Sequence, residues 1–341
     1  MSREKKDKKV TSHSNKQIYR KRNHLAVVLI LLVCVAILVG VLVGVVSWIL
    51  QVKPGEAPSS SVPPATAPTT TTTHISLPKE FLDANTASKA VALYDVSAGK
   101  LLYSKNADEK REPASLTKLL TAILAIEHCP EGFTFVVGDE LNLVDYSESS
   151  VSGLRKGQTF SLDGILQALL IPSGNDAAYT IAANIGRQLA GDANLKAQAA
   201  VNKFCDQMNT TAAALGAIHT HFSNPDGLPD DNHYTTANDI LKIAVKAMSY
   251  PQIAQTVSMP RTTDPQLGAR ANTNLLLDPT SVYYYAYATG MKTGFTDDAG
   301  YCLAVSAEKN GRQLIAILMG AENVLGRWED ARGLMELAYR E

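Results

Sequence analysis

The chain has 341 residues, enough for one large or two modest domains. Its 32 lysines and arginines nearly balance its 33 aspartates and glutamates, so there is no overall positive field to draw in nucleic acid. The charge is nevertheless uneven, and the unevenness begins at the amino terminus.

Residues 1–24 carry Arg3, Lys5, Lys6, Lys8, Lys9, Lys16, Arg20, Lys21 and Arg22 against Glu4 and Asp7. Such a run reads as a solvated cytoplasmic tail. It abuts LAVVLILLVCVAILVGVLVGVVSWIL, Leu25 to Leu50, which has no charged residue. As a helix that stretch would reach roughly 39 Å, more than the roughly 30 Å hydrocarbon core of a bilayer. A buried core helix is seldom apolar all round for this length. A cleaved signal peptide would have an apolar region about half as long. The expectation is one transmembrane helix over 25–50, its basic flank inside and the rest of the chain outside the cytoplasm. Residues 51–76 are rich in Pro, Ser and Thr and read as an extended, semi-stiff tether. The globular domain is then 77–341. Beyond Cys34 in the span, Cys129, Cys205 and Cys302 are odd in number and irregularly spaced. They allow one optional bridge or three buried thiols, not a disulfide scaffold.

Within the domain, AVALYDVSAGKLLYSKN alternates apolar and polar residues around a turn at Gly99, the pattern of a β-hairpin. Leu116 to His128 is apolar nearly throughout, with Pro113 just ahead, and predicts a buried helix starting near Ser115. Further helices are predicted over Leu162 to Pro172, Asp176 to Ala190, Ala197 to Gly216 and Thr235 to Tyr250. GMKTGFT and YCLAVSAEKNGRQLIAILMGA read as three adjacent strands, the last two joined at Lys309-Asn310-Gly311. Arg327 to Tyr339 closes as an amphipathic helix. Strands at both ends with helices between predict an α+β fold. Its antiparallel β-sheet would join the N- and C-terminal strands and be flanked by helices.

Ser-x-x-Lys occurs five times, at Ser2, Ser76, Ser97, Ser115 and Ser306, so spacing alone says little. Only Ser115-Leu-Thr-Lys118 begins a buried helix. There the helix dipole and free N–H groups favour negative charge, and Lys118 lies one turn on, within reach of Ser115 Oγ. A lysine is a base only when neutral, and burial beside another cation such as Lys292 would lower its pKa. Ser173-Gly-Asn175 falls in a break between two helices, where a hydroxyl and an amide can face a cleft. Lys292-Thr293-Gly294 occurs once, on a strand, where Gly294 would let a substrate backbone approach. These three motifs, in this order and in these elements, form a serine-nucleophile constellation.

On these motifs the chain resembles the serine-type D-Ala-D-Ala carboxypeptidases, the low-molecular-mass penicillin-binding proteins of the peptidase S11 family. The resemblance runs from Ala90 to Tyr339 and includes REPASLTKLLTAILAIE, LLIPSGNDAAYTIA, FSNPDGLPDDNHYTTANDI and GMKTGFTDDAGYCLAVSAEKNGRQLIAILMGA. It implies a β-lactamase/DD-peptidase-like fold with an all-helical subdomain beside the sheet. Ser115 would be the nucleophile, Lys118 its base and Ser173 a proton relay. Asn175 would hold the substrate amide. Lys292, Thr293 and Arg327 would bind the terminal carboxylate. The backbone N–H groups of Ser115 and Phe295 would form an oxyanion hole. The implied substrate is a peptidoglycan stem peptide ending in D-Ala-D-Ala, with β-lactams as inhibitors and no metal or organic cofactor. The implied setting is the cell membrane, with the catalytic domain on the wall side.

Two positions depart from the family pattern. Phe295 stands where many members have histidine, and Asp226 stands in NPDGL where histidine is common. Many members also add a C-terminal β-domain and an amphipathic anchor, a place the amino-terminal span is expected to take. A DD-endopeptidase, a serine β-lactamase and a β-lactam sensor without turnover stay open as alternatives. No Glu-x-x-Asn between Asn175 and Lys292 supplies a deacylating base of the β-lactamase kind. His219, His221 and His233 suggest a metal site but are not joined by a fourth ligand. The run Tyr283 to Tyr285 with Tyr287 suits packing before a strand as well as sugar stacking.

Overall fold

The computed structural model of the chain describes residues 79–340. The segments expected as a basic tail (1–24), a transmembrane helix (25–50) and a tether (51–76) lie outside the described residues. Among the described residues no helix is long and apolar enough to cross a membrane.

A short helix, α1 (Lys79–Asn85), leads into the hairpin of β1 (Ala90–Asp95) and β2 (Lys100–Lys105), with Gly99 in the left-handed region at its turn. A 3-10 turn (Ala114–Thr117) runs directly into α2 (Lys118–Glu127). A two-stranded ribbon, β3 (Phe135–Val136) with β4 (Thr159–Phe160), precedes a helical run. In α3 (Leu162–Leu170) the Ser161 side chain accepts from the Gly164 N–H and caps the first turn. Next, α4 (Asn175–Ala190) stops at Gly191, whose φ of 66° makes the left-handed C-terminal cap. Then come α5 (Ala197–Ala214), α6 (Ala237–Met248) capped by Thr236, and α7 (Pro251–Ser258) with proline in its first turn. Strands β5 (Ala288–Thr296), β6 (Gly300–Lys309) and β7 (Arg312–Ala321) are followed by α8 (Val324–Ala338), capped by Asn323.

The main sheet is antiparallel with order β2-β1-β7-β6-β5, so β7 crosses back to pair with β1. Ala90 faces Met319 and Asp95 faces Leu314 in that pairing. Strand β7 reads as a continuous apolar run because both its faces are covered. Leu314, Ala316 and Leu318 pack with Val91, Leu93 and α8 residues Trp328, Leu334 and Met335. Ile315, Ile317 and Met319 join Ala90, Ala92 and the buried residues of α2 to α6 on the other side. Helix α2 is the axis of that second layer. Every residue from Lys118 to Ala125 is buried, so its lack of a polar face is what its position requires.

The α+β class, the antiparallel sheet and its union of terminal strands agree with the expectation. The helices beside the sheet share one core cluster with its face. Differences are local. The α-helix proper starts at Lys118, because Ala114 to Thr117 wind more tightly. The closing helix starts at Val324 rather than Arg327, so Arg327 ends the first turn and is buried. Helices α1 and α7 and the small ribbon were not anticipated. The three cysteines of the domain are free thiols.

Candidate active site

The nucleophile turn is fixed by backbone geometry. Ala114, immediately before Ser115, has φ 47°, a left-handed conformation unusual for a residue with a Cβ. Ser173 is also left-handed, at φ 67°. Between Ser173 and Asn175, a Cβ on Gly174 would stand 2.3 Å from Ser152 Oγ and 2.7 Å from the Ala168 carbonyl. Only glycine fits that close packing, which holds the start of α4 against α3 and the loop at Ser152.

Lys118 is fully buried and its ammonium nitrogen meets three acceptors. They are Ser115 Oγ at 2.8 Å, Asn175 Oδ1 at 2.7 Å and the Asp226 carbonyl at 2.8 Å. A lysine can only donate when charged, so the amide oxygen of Asn175, not its nitrogen, is turned to it. Asn175 Nδ2 in turn donates to Ser149 Oγ at 2.8 Å. Both ends of that amide are therefore engaged within the protein. Ser149 uses one of the two Nδ2 N–H groups, so the hold on Lys118 stands beside the expected hold on a substrate amide. Ser173 lines the cleft but is not among the three partners of Lys118.

Burial lowers the Lys118 pKa to about 8, against the opposing pull of the Asp226 and Asp176 carboxylates. The sequence pointed to burial together with a neighbouring cation, Lys292. Burial comes first, and the repulsion between the two lysines lowers Lys292. Lys292 is pushed well below its ordinary value by its own burial, then by the charges of Lys118 and Arg327. Asp226 Oδ2 is buried without a hydrogen-bond partner among the described residues, and burial raises its carboxyl pKa.

Strand β5 is the sheet's outer strand and forms the opposite wall. A Cβ on Gly294 would lie 3.1 Å from Ser115 N and 3.0 Å from Ala114 Cβ. The missing side chain thus admits the protein's own nucleophile turn, rather than substrate alone as the sequence suggested. It also sets Ser115 close to β5, whose Phe295 lines the same cleft. Lys292 Nζ donates to the Thr293 carbonyl at 2.9 Å, and Thr293 Oγ1 donates to Thr273 Oγ1 at 2.6 Å. Arg327 comes up from α8 and donates to the Gly294 carbonyl at 3.3 Å. Its guanidinium sits over the rings of Tyr301, 5.2 Å away, and Trp328, 4.4 Å away. Burial pushes its pKa down to about 10, leaving it charged near neutrality. Among the described residues no carboxylate pairs with Lys292 or Arg327.

Ser115, Ser173, Asn175, Thr293, Gly294, Phe295 and Arg327 all line one cleft of about 310 Å³, with Lys118 and Lys292 buried in its walls. A groove of about 690 Å³ beside α6 is larger, but it holds no nucleophile and base. Sequence reading missed the Asp226 carbonyl, because a backbone oxygen 108 residues from Lys118 has no side-chain signature. It also missed Tyr301 and Trp328, which looked like ordinary strand and helix aromatics.

The family model for peptidase S11, D-alanyl-D-alanine carboxypeptidase, matches residues 77–323. The chain belongs to this family. A D-alanyl-D-alanine carboxypeptidase of Bacillus subtilis is 29% identical over 262 residues, 74% of this chain and 62% of that protein. The chain therefore spans less than two thirds of the length of that relative. A D-alanyl-D-alanine carboxypeptidase of Streptomyces sp. strain K15 is 30% identical over 253 residues, 71% of this chain and 83% of that protein. Among solved structures, the Streptomyces K15 DD-transpeptidase matches with TM-score 0.65 at 28% identity, over 75% of this chain and 98% of that one. Penicillin-binding protein D2 of Listeria monocytogenes, in its ampicillin-bound form, matches with TM-score 0.61 at 30% identity, over 74% and 98%. The S11 fold thus accounts for the described residues.

Proposed function

We propose that this S11 chain is a serine-type D-Ala-D-Ala carboxypeptidase that removes the terminal D-alanine from peptidoglycan stem peptides and is acylated by β-lactams. One observation carries the reading. Two buried basic groups, Lys292 and Arg327, stand without a carboxylate partner among the described residues, beside a serine–lysine pair. Buried charge without a partner is costly, so the site is built for an anion supplied by the substrate. A free peptide carboxylate next to the scissile bond answers that need.

The substrate carboxylate is held by Arg327, Lys292 and Thr293 Oγ1. The penultimate carbonyl then lies over Ser115 with its oxygen between the Ser115 and Phe295 N–H groups. Neutral Lys118 keeps its two N–H bonds on Asn175 Oδ1 and the Asp226 carbonyl, both of which can only accept. Its lone pair is left aimed at the Ser115 hydroxyl. Ser115 Oγ forms the new C–O bond as Lys118 takes its proton. The tetrahedral intermediate collapses, the C–N bond breaks, and the leaving amine receives a proton through Ser173. Water then cleaves the ester and returns Ser115. A β-lactam has no leaving group that departs, so its acyl-enzyme persists.

Acyl transfer to an amine instead of water is a second reading. It is supported by the likeness to the Streptomyces K15 DD-transpeptidase. The proposal includes the membrane anchor over 25–50, with the catalytic domain on the wall side.

Fluorescent penicillin labelling and D-alanine release from a D-Ala-D-Ala pentapeptide test the reading together. Both activities are expected in the chain and neither in Ser115→Ala. Release that survives Ser115→Ala would overturn the mechanism. Labelling without release, but with dipeptide-amine product, would favour transfer.

A further inference from the structure

The turn that presents Ser115 is fastened from outside the three motifs. Thr117 Oγ1 donates to the Ala114 carbonyl at 2.9 Å, spanning the left-handed residue before the nucleophile. A hydroxyl has one proton, and this one is committed to a group that can only accept. The 2.9 Å contact between Thr117 Oγ1 and His233 Nε2 therefore has the histidine as donor. On the ring's other side, the Ser223 backbone N–H donates to His233 Nδ1 at 3.1 Å. Both constraints select one neutral tautomer, with the proton on Nε2.

His233 is 2% exposed, with the Phe222 ring edge-on at 5.4 Å. The charges around it are Asp230, which favours its protonation, and His221 and Lys118, which oppose it. Burial outweighs all three and holds its pKa at about 3. The ring thus stays neutral wherever the enzyme works.

Ser223 opens the loop that supplies the Asp226 carbonyl to Lys118. That loop is closed on itself by Asn224, which accepts from the Gly227 N–H at 2.7 Å. A Cβ on Gly227 would stand 1.9 Å from the Ala114 carbonyl oxygen, so loop and nucleophile turn touch backbone to backbone.

We propose that His233 is a positioning residue for acylation, a tautomer-locked clamp tying the Ser223–Leu228 loop to Thr117 and so aligning Ser115 with Lys118. Its contact with the reaction is entirely through Thr117 and the loop. The inference rests on the carboxypeptidase reading above.

The test uses the full chain and two readouts. The stoichiometry of fluorescent penicillin labelling counts intact sites, and the rates of labelling and D-alanine release report acylation. Labelling of the unmodified chain checks the underlying reading by itself. In His233→Gln, the side-chain N–H falls near the Nε2 position and keeps the bond to Thr117. In His233→Asn, the side-chain oxygen falls near Nδ1 and keeps only the bond to Ser223. Thr117→Val removes the hydroxyl with little change of shape. His233→Asn and Thr117→Val are expected to lower kcat by about tenfold or more with KM changed less than about threefold. His233→Gln should stay within about threefold of the unmodified chain. The double variant Thr117→Val/His233→Asn should be no slower than Thr117→Val, since the two act as a unit. Equal impairment of the glutamine and asparagine variants overturns the proposal. So does a loss that appears only as fewer labelled sites, or kcat unchanged in both Asn and Val variants.

Discussion

At the scale of single residues, the arrangement is governed by how many protons a lysine carries. Three acceptors surround Lys118 Nζ, which suits the ammonium at rest. Removing one proton leaves two N–H groups, and two of the three neighbours can only accept. Ser115, alone of the three, can reverse its role and donate. The geometry therefore aims the lone pair without any movement of the side chain. The pKa of about 8, set mainly by burial, decides when this state is populated. The base works in its unprotonated form, so the acylation rate should rise with pH through about 8 and level off above it. About a tenth of the protein is active in this sense at pH 7. Free lysine would place the same rise near 10.4. Penicillin acylation followed from pH 6 to 10.5 checks this. A rise centred on the free-lysine value would remove Lys118 from the role of base.

At the scale of elements, the site is a meeting of a helix start, a loop and an outer strand. Glycines set the distances between them. Gly227 and Gly191 both have positive φ, 94° and 66°. A Cβ on Gly191 would meet nothing within 4 Å, whereas one on Gly227 would collide with the Ala114 carbonyl at 1.9 Å. Gly191→Ala should cost only conformational strain, about 1 kcal/mol, and leave labelling intact. Gly227→Ala adds a backbone clash that must push the loop off the nucleophile turn. Its labelling rate should fall more than about tenfold, and equal labelling of the two variants would contradict this account. The elements themselves were largely readable beforehand. The hairpin pattern around Gly99 and the strand pattern of β5 to β7 marked the sheet, and apolar stretches marked helices α2 to α6. Helix α7 escaped because Ser249 to Pro251 looks like an ending, although proline is equally suited to a first turn. The nine site residues were named from motifs, but not their contacts. Asn175 facing Lys118 depends on how closely α4 meets α2. The Asp226 carbonyl depends on a loop whose only local signal is its proline and glycine.

At the scale of the whole molecule, the anion site and the fold have opposite interests. Lys292, on β5, is buried near Lys118, and among the described residues its one side-chain hydrogen bond is to the Thr293 carbonyl. Burial and two neighbouring positive charges drive its pKa well down, so the folded chain gives up this proton at lower pH than the unfolded chain does. The unfolded state then binds more protons, and stability from this group rises with pH until the unfolded lysine also loses its proton near 10.4. The penalty is full below the folded pKa and is lost as the pH climbs from there towards the unfolded value. Lys292→Met keeps a similar volume, removes the titrating group and gives up one neutral hydrogen bond. The net gain should be about 1 kcal/mol, or about 2–4 °C in melting temperature for a domain of this size. The same change should abolish D-alanine release, since the substrate carboxylate loses a cation. The thermal advantage should also shrink as the pH rises from the folded pKa of Lys292 towards about 10.4, as the unmodified chain recovers its deficit. Melting curves of both proteins across that range decide the matter. A variant that melts lower at pH 7, or whose advantage grows with pH, would mean that Lys292 stabilises the sheet. The unpaired cation would then not be a cost that the fold bears for its substrate.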